Sequence, residues 1–89
     1  MLSREVEIIN KRGLHARAAS KFVTLASRYQ SLIRVRRGEK EVNGKSIMGV
    51  MMLAAGRGTR ITLVADGEDA PDALDALEAL VAERFEESE

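Results

Sequence analysis

The sequence predicts an α+β fold of four strands and three helices, with one sheet covered on one face only, an open-faced β-sandwich. Three observations carry this. The apolar pattern switches between period two and period 3.6 in the order β-α-β-β-α-β-α. Each strand alternates, so each has a single apolar face to cover. The length of 89 residues, with 45% hydrophobic and 31% charged side chains, suits one domain, residues 1–89, with a small core.

The elements follow in order. "EVEII" alternates at Val6 and Ile8 and reads as a strand, which "NKRG" ends. From Ala16 to about Arg28 the pattern is helical, with Ala19, Phe22, Val23 and Ala26 at i, i+3, i+4 and i+7. "LIRVRR" alternates again, Ile33 and Val35 on one side and Arg34 and Arg36 on the other. A tight turn at Gly38 leads into a more polar strand ending at Val42. "NGKS" is a turn whose Ser46 is a good N-cap for the short helix "IMGVMMLAA". "TRITLVA" alternates through Ile61, Leu63 and Ala65. After "DGED", the segment "APDALDALEALVAERF" is the strongest helix. Pro71 suits its first turn, and Leu74, Leu77 and Val81 form its stripe.

Composition narrows the chemistry. Only three aromatics are present, so the core is expected to be aliphatic and Met-rich, without a deep aromatic pocket for an organic cofactor; no cofactor is expected. With no cysteine, thiolate catalysis, disulfides and thiolate metal sites are excluded. The start "MLSREVEIIN" is charged early and lacks a long apolar run, so neither a signal peptide nor a membrane span is expected, and the cytoplasm is the expected location. The net charge of zero hides an asymmetry. Residues 1–60 carry 13 Lys/Arg against four Asp/Glu, whereas residues 61–89 carry one Arg against ten acids. Either the two halves attract each other within one fold, or a basic surface awaits an anionic or acidic partner.

The stretch "RGLHARAAS" holds the only histidine. With Ala16 as first helical residue, His15 lies at or next to the N-cap. The first amides of a helix lack internal partners and carry the positive end of its dipole, so an anion site lies beside the imidazole. Gly13 lets the backbone bend and another surface come close. Arg17 adds a cation whose donors suit phosphate. An imidazole with an ordinary pKa of about 6.5 is a competent nucleophile near neutral pH. The residues alone leave two readings, an exposed capping histidine or a carrier of a phosphoryl group held by the amides of Ala16 and Arg17. A metal site lacks further His or Cys ligands. Nothing resembles the nucleophile elbow of a serine triad.

"NGKSIMGVMM" is not a phosphate-binding P-loop, because five residues rather than four separate Gly38 from Gly44. Its helix is apolar almost all round. Val50 and Leu53 are expected in the core. Ile47, Met48, Met51 and Met52 are expected at a partner surface beside His15, rimmed by Arg17, Lys21 and Lys45, because methionine suits a surface that accepts several partners in turn. An RNA surface through Arg34, Arg36 and Arg37 is poorly supported, since no stacking aromatics accompany them.

"GLHARAASKFV" resembles the active-site segment of the histidine-containing phosphocarrier family, HPr and its nitrogen-branch relative NPr, whose pattern is Gly-Leu/Met-His-Ala/Thr-Arg-Pro-Ala. The resemblance continues through "GKSIMGVMMLAAGRGT" and "ITLVADGEDAPDALDALEALV", and so covers essentially the whole chain. It implies a four-stranded antiparallel sheet covered on one face by three helices. It implies a phosphocarrier of the phosphoenolpyruvate-dependent phosphotransferase system, not an enzyme with turnover of its own. Enzyme I would supply the phosphoryl group to Nδ1 of His15, with Arg17 as the phosphate-binding arginine, and an EIIA domain would receive it. By the same resemblance Ser46 corresponds to the serine modified by an HPr kinase/phosphorylase in some members. A monomer without nucleic-acid or membrane partners is expected. The alternative is a regulatory binding module acting through Ser46 and the basic, Met-rich surface. One departure stands out: Ala18 occupies the family's proline position, a better helix former but a looser terminus. "INKRGLHAR" and the acidic tail lean towards the nitrogen branch, "GKSIMGVM" towards HPr with a kinase site.

Overall fold

The computed structural model describes residues 1–88. Its elements are β1 (Leu2–Glu7), α1 (Ala16–Ala26), β2 (Leu32–Arg37), β3 (Lys40–Asn43), α2 (Ile47–Met52), β4 (Arg60–Asp66) and α3 (Ala70–Ala82), followed by one short turn of 3-10 type at Arg84–Glu86. The four strands form one antiparallel sheet in the order β1-β4-β2-β3. The expected architecture is therefore present, with three helices on one face.

Register explains which residues reach the core. Val6 pairs with Ile61, Val35 with Leu63 and Ile33 with Ala65, and all six are buried. They meet Phe22, Ala19 and Ala26 of α1, Val50 of α2, and Leu74, Leu77 and Val81 of α3 in one cluster. The opposite face carries Glu5, Arg34 and Arg36, all exposed. Val64 lies in the register row of Ser3 and Arg34 on that outer face and yet is buried, because cross-strand neighbours cover a central position. Arg36 pairs with Glu41 at 2.5 Å, and Arg37 donates to the Leu53 carbonyl at 2.9 Å at the end of α2. Lys40 donates to the Met52 carbonyl at 3.2 Å. These cations satisfy the helix C-terminus.

Part of the charge asymmetry is met within the fold. Arg4 of β1 reaches Asp75 at 2.6 Å and Glu78 at 3.0 Å on α3, and Lys21 of α1 lies 3.3 Å from Glu86. Asp69 precedes α3 and accepts from the Gln30 amide at 2.8 Å, the Ser31 amide at 3.0 Å and the Ser31 hydroxyl. The hydroxyl bond from Ser31, then the Gln30 amide, holds the Asp69 carboxyl below its ordinary value of 3.8.

Four expectations change. The core is not Met-rich, since Met1, Met48, Met51 and Met52 are all exposed. α2 stops at Met52 rather than running on through "LAA". α1 stops at Ala26 rather than near Arg28. α3 stops at Ala82, so the segment "ERF" does not continue it. Arg84, Phe85 and Glu86 instead have φ of 57°, 54° and 66°, three successive non-glycine residues in the left-handed region. Phe85 is completely buried, which outweighs the local conformational cost. The turn is closed by Glu86 N–H to the Glu83 carbonyl at 3.0 Å and Glu87 N–H to the Arg84 carbonyl at 2.9 Å.

Candidate functional site

His15 is the N-cap of α1, with extended backbone (φ −73°, ψ 178°) and no side-chain capping bond. Its carbonyl accepts from the Ala19 amide at 2.8 Å, so the amides of Ala16, Arg17 and Ala18 begin the helix without intrahelical acceptors. The ring therefore stands beside the positive end of an eleven-residue helix.

The loop beneath the ring depends on Gly13. Its φ is +67°, and a Cβ there would lie 2.5 Å from the Ala55 carbonyl oxygen and 2.8 Å from Gly56 Cα. Leu14 N–H donates to that same Ala55 carbonyl at 2.9 Å. The α2–β4 connection thus packs directly under the His15 loop, which only glycine permits. Ala18, at the third helical position, is fully buried.

The tail supplies what the sequence pattern did not show. The left-handed turn carries Glu87 to His15, where Glu87 Oε2 pairs with the ring Nε2. Both side chains are mostly covered, 19% and 16% exposed, so the pair is shielded from solvent without being sealed. The other carboxylate oxygen, Oε1, accepts from Asn10 Nδ2 at 3.1 Å, and Nδ2 also donates to the Gly13 carbonyl at 2.9 Å. Burial pushes the Glu87 carboxyl up, but hydrogen bonds from His15 and Asn10 and the charges of His15 and Arg12 outweigh it and leave the group below its usual range. An ionised carboxylate only accepts, so Nε2 carries the proton and, in the neutral ring, Nδ1 carries the lone pair.

Arg17 is exposed and makes no hydrogen bond or ion pair among the described residues. It lines an open cleft with Lys11, Arg12, Lys21, Glu86 and Glu87. Lys21 faces the tail, its ammonium bonded to the Phe85 carbonyl at 2.9 Å, and Lys45 donates to the Tyr29 carbonyl at 2.6 Å. Both lysines are thus engaged within the fold. On α2, Val50 and Leu53 are fully buried while Ile47, Met48, Met51 and Met52 are 42%, 70%, 38% and 63% exposed. Six residues cannot hide apolar side chains on every side. Ser46 caps α2, its hydroxyl accepting from the Gly49 amide at 3.1 Å. The contact between residues 15 and 87 joins distant parts of the chain, so no periodicity marks it; the excess of acids over residues 61–89 was the signal that pointed towards it.

Fold and site together define an open-faced α+β domain that presents a helix-capping histidine. The family model described as "PTS HPr component phosphorylation site" matches residues 2–83. The phosphocarrier protein HPr of Cupriavidus necator is 54% identical over 89 residues, covering all of both chains. The phosphocarrier protein NPr of Shewanella violacea is 48% identical over 87 residues, 98% of this chain and 96% of its own. The crystal structure of HPr-C-His from Thermoanaerobacter tengcongensis superposes with a TM-score of 0.96 at 44% identity over the full length of both chains. The chain belongs to the HPr/NPr family of phosphocarrier proteins of the phosphotransferase system.

Proposed function

We propose that the protein is a covalent phosphoryl shuttle without turnover of its own, working as a monomer in the cytoplasm. Phospho-Enzyme I supplies the group to Nδ1 of His15, and an EIIA protein removes it. The observation that carries this reading is the place of His15 as N-cap of α1, beside amides that lack intrahelical acceptors. The Nδ1 lone pair attacks phosphorus, the N–P bond forms, and the bond to the donor breaks with its electron pair returning to the donor. Charge in such a transfer spreads over the three phosphoryl oxygens. In this reading the Ala16 and Arg17 amides, at the start of α1, and the exposed Arg17 guanidinium stabilise that charge. Helix-terminal stabilisation of about 0.3–1 kcal/mol, up to about 2 in good geometry, holds the group without trapping it.

The exposed Ile47, Met48, Met51 and Met52 serve as the docking surface shared by successive partners, and Lys21 and Lys45, whose ammonium groups are held by the Phe85 and Tyr29 carbonyls, are further docking residues. Ser46 is a regulatory phosphorylation site for an HPr kinase/phosphorylase. Phosphate at the N-terminus of α2 leaves the helix intact but adds about −1.5 to −2 charges beside that surface and weakens acidic partners. Incubation with Enzyme I and phosphoenolpyruvate should give a single acid-labile, base-stable phosphoryl adduct, detected by mass spectrometry and absent in His15→Ala. An adduct that persists in His15→Ala, or none in the wild type, overturns the reading. Initial rates with sugar-branch and nitrogen-branch Enzyme I assign the branch.

A further inference from the structure

We propose that Glu87 is a positioning residue for His15, which fixes the ring tautomer and orientation through Nε2 and stabilises the charge the ring acquires when Nδ1 takes the phosphoryl group. The inference rests on the phosphocarrier reading above.

Four independent features build this contact. Glu87 Oε2 engages Nε2, the nitrogen opposite the one that would react. Asn10 holds the second oxygen at 3.1 Å, so the carboxylate is fixed at both ends. Asn10 is completely buried and works only as a donor, while its Oδ1 has no partner among the described residues. A buried amide normally satisfies both of its ends. Leaving one unpaired makes sense if the Nδ2 position matters more. Finally, three left-handed residues, Arg84–Glu86, bring the carboxylate to the ring, clamped by buried Phe85 and by Lys21 bonding the Phe85 carbonyl at 2.9 Å. Strain held in place by burial at a reactive side chain is the pattern expected of a built site.

The chemistry is that of a carboxylate behind a histidine nucleophile. Such a partner holds the imidazole in one tautomer and offsets the charge on the imidazolium without taking its proton. Here the neutral ring has its proton on Nε2 and its lone pair on Nδ1. On phosphoryl transfer the N–P bond forms, the donor bond breaks with its pair, and the Nε2 proton stays on the ring. The ring becomes cationic against Glu87, and no proton enters or leaves. Hand-off to the next acceptor reverses these steps. The charge of Arg12 also acts on Glu87 and favours its ionised form.

The test uses the full chain with 15N-labelled histidine, as wild type, Glu87→Gln, Glu87→Ala and, as a control for tail charge, Glu83→Gln. Ring 15N shifts, read without any partner protein, should show the Nε2-protonated tautomer dominant in wild type and Glu83→Gln. They should move towards the solvent-averaged mixture in Glu87→Ala. Single-turnover transfer from phospho-Enzyme I should fall about ten-fold or more in Glu87→Ala. KM should stay unchanged, with Glu87→Gln intermediate. Unchanged shifts, or transfer as fast as or faster than wild type in Glu87→Ala, overturn the proposal, a faster rate making Glu87 a cover over the site instead. If wild type accepts no phosphoryl group, the carrier reading fails and the positioning role with it, while the ring shifts still decide whether Glu87 sets the tautomer.

Discussion

Replacing Phe85 with alanine tests whether the tail is part of the fold or an appendage. The side chain is completely buried and joins the core cluster although it lies beyond the end of α3. Phe→Ala in a core costs about 3–5 kcal/mol. Release of the left-handed residues Arg84–Glu86 offsets part of that, which places the expectation near the low end, about 3 kcal/mol. For a domain of this size each kcal/mol moves Tm by about 4–8 °C, so a fall of about 12–24 °C is expected. Urea unfolding at neutral pH gives the free energy, and a thermal scan gives Tm. The same variant should free His15, since the turn that carries Glu87 loses its anchor, and the ring 15N shifts should approach those of Glu87→Ala. A loss under about 1 kcal/mol, with His15 shifts unmoved, would refute the reasoning, because a surface residue costs no more than that.

Other expectations follow the same geometry. Gly13→Ala puts a Cβ 2.5 Å from the Ala55 carbonyl at φ +67°, and should lower stability by about 2 kcal/mol or more in urea unfolding; it should also slow phosphorylation of His15 by shifting the loop. Ala18→Pro should raise stability by about 0.4–1 kcal/mol, because the third helical amide has no intrahelical acceptor to lose; a lower Tm would count against it. Asp69 is depressed below 3.8 in the folded state. Its contribution is therefore complete above the unfolded value and lost as pH falls through the lower folded one. Asp69→Asn should accordingly be less stable than wild type at neutral pH, with the gap closing in acid. A gap independent of pH would contradict the assignment.

Much of the fold was legible because strand alternation has a direct physical meaning. Ile33 and Val35, and Ile61, Leu63 and Ala65, occupy one face in the sequence and are buried together in the structure. The N-cap positions of His15 and Ser46 were equally readable, since short polar side chains and loop-to-helix switches mark them. The end of α3 was not. Phe85 lies four residues after Val81 and so extends a helical stripe, with no Gly or Pro nearby to signal a break. Its burial is achieved by a left-handed turn instead. Pairing of Glu87 with His15, and of Arg4 with Asp75 and Glu78, joins opposite ends of the chain. Such contacts depend on tertiary placement, and the charge asymmetry announced only that some were needed.

The most direct test of the carrier chemistry is a chase. Protein phosphorylated with labelled phosphoenolpyruvate and Enzyme I is freed of donor, its label is located on His15 by NMR, and an EIIA protein is then added. The expected result is a phosphoryl group on Nδ1 that leaves His15 quantitatively and appears on the EIIA. Label on Nε2 or on another residue, or label that stays on His15 in the presence of every EIIA tried, contradicts it.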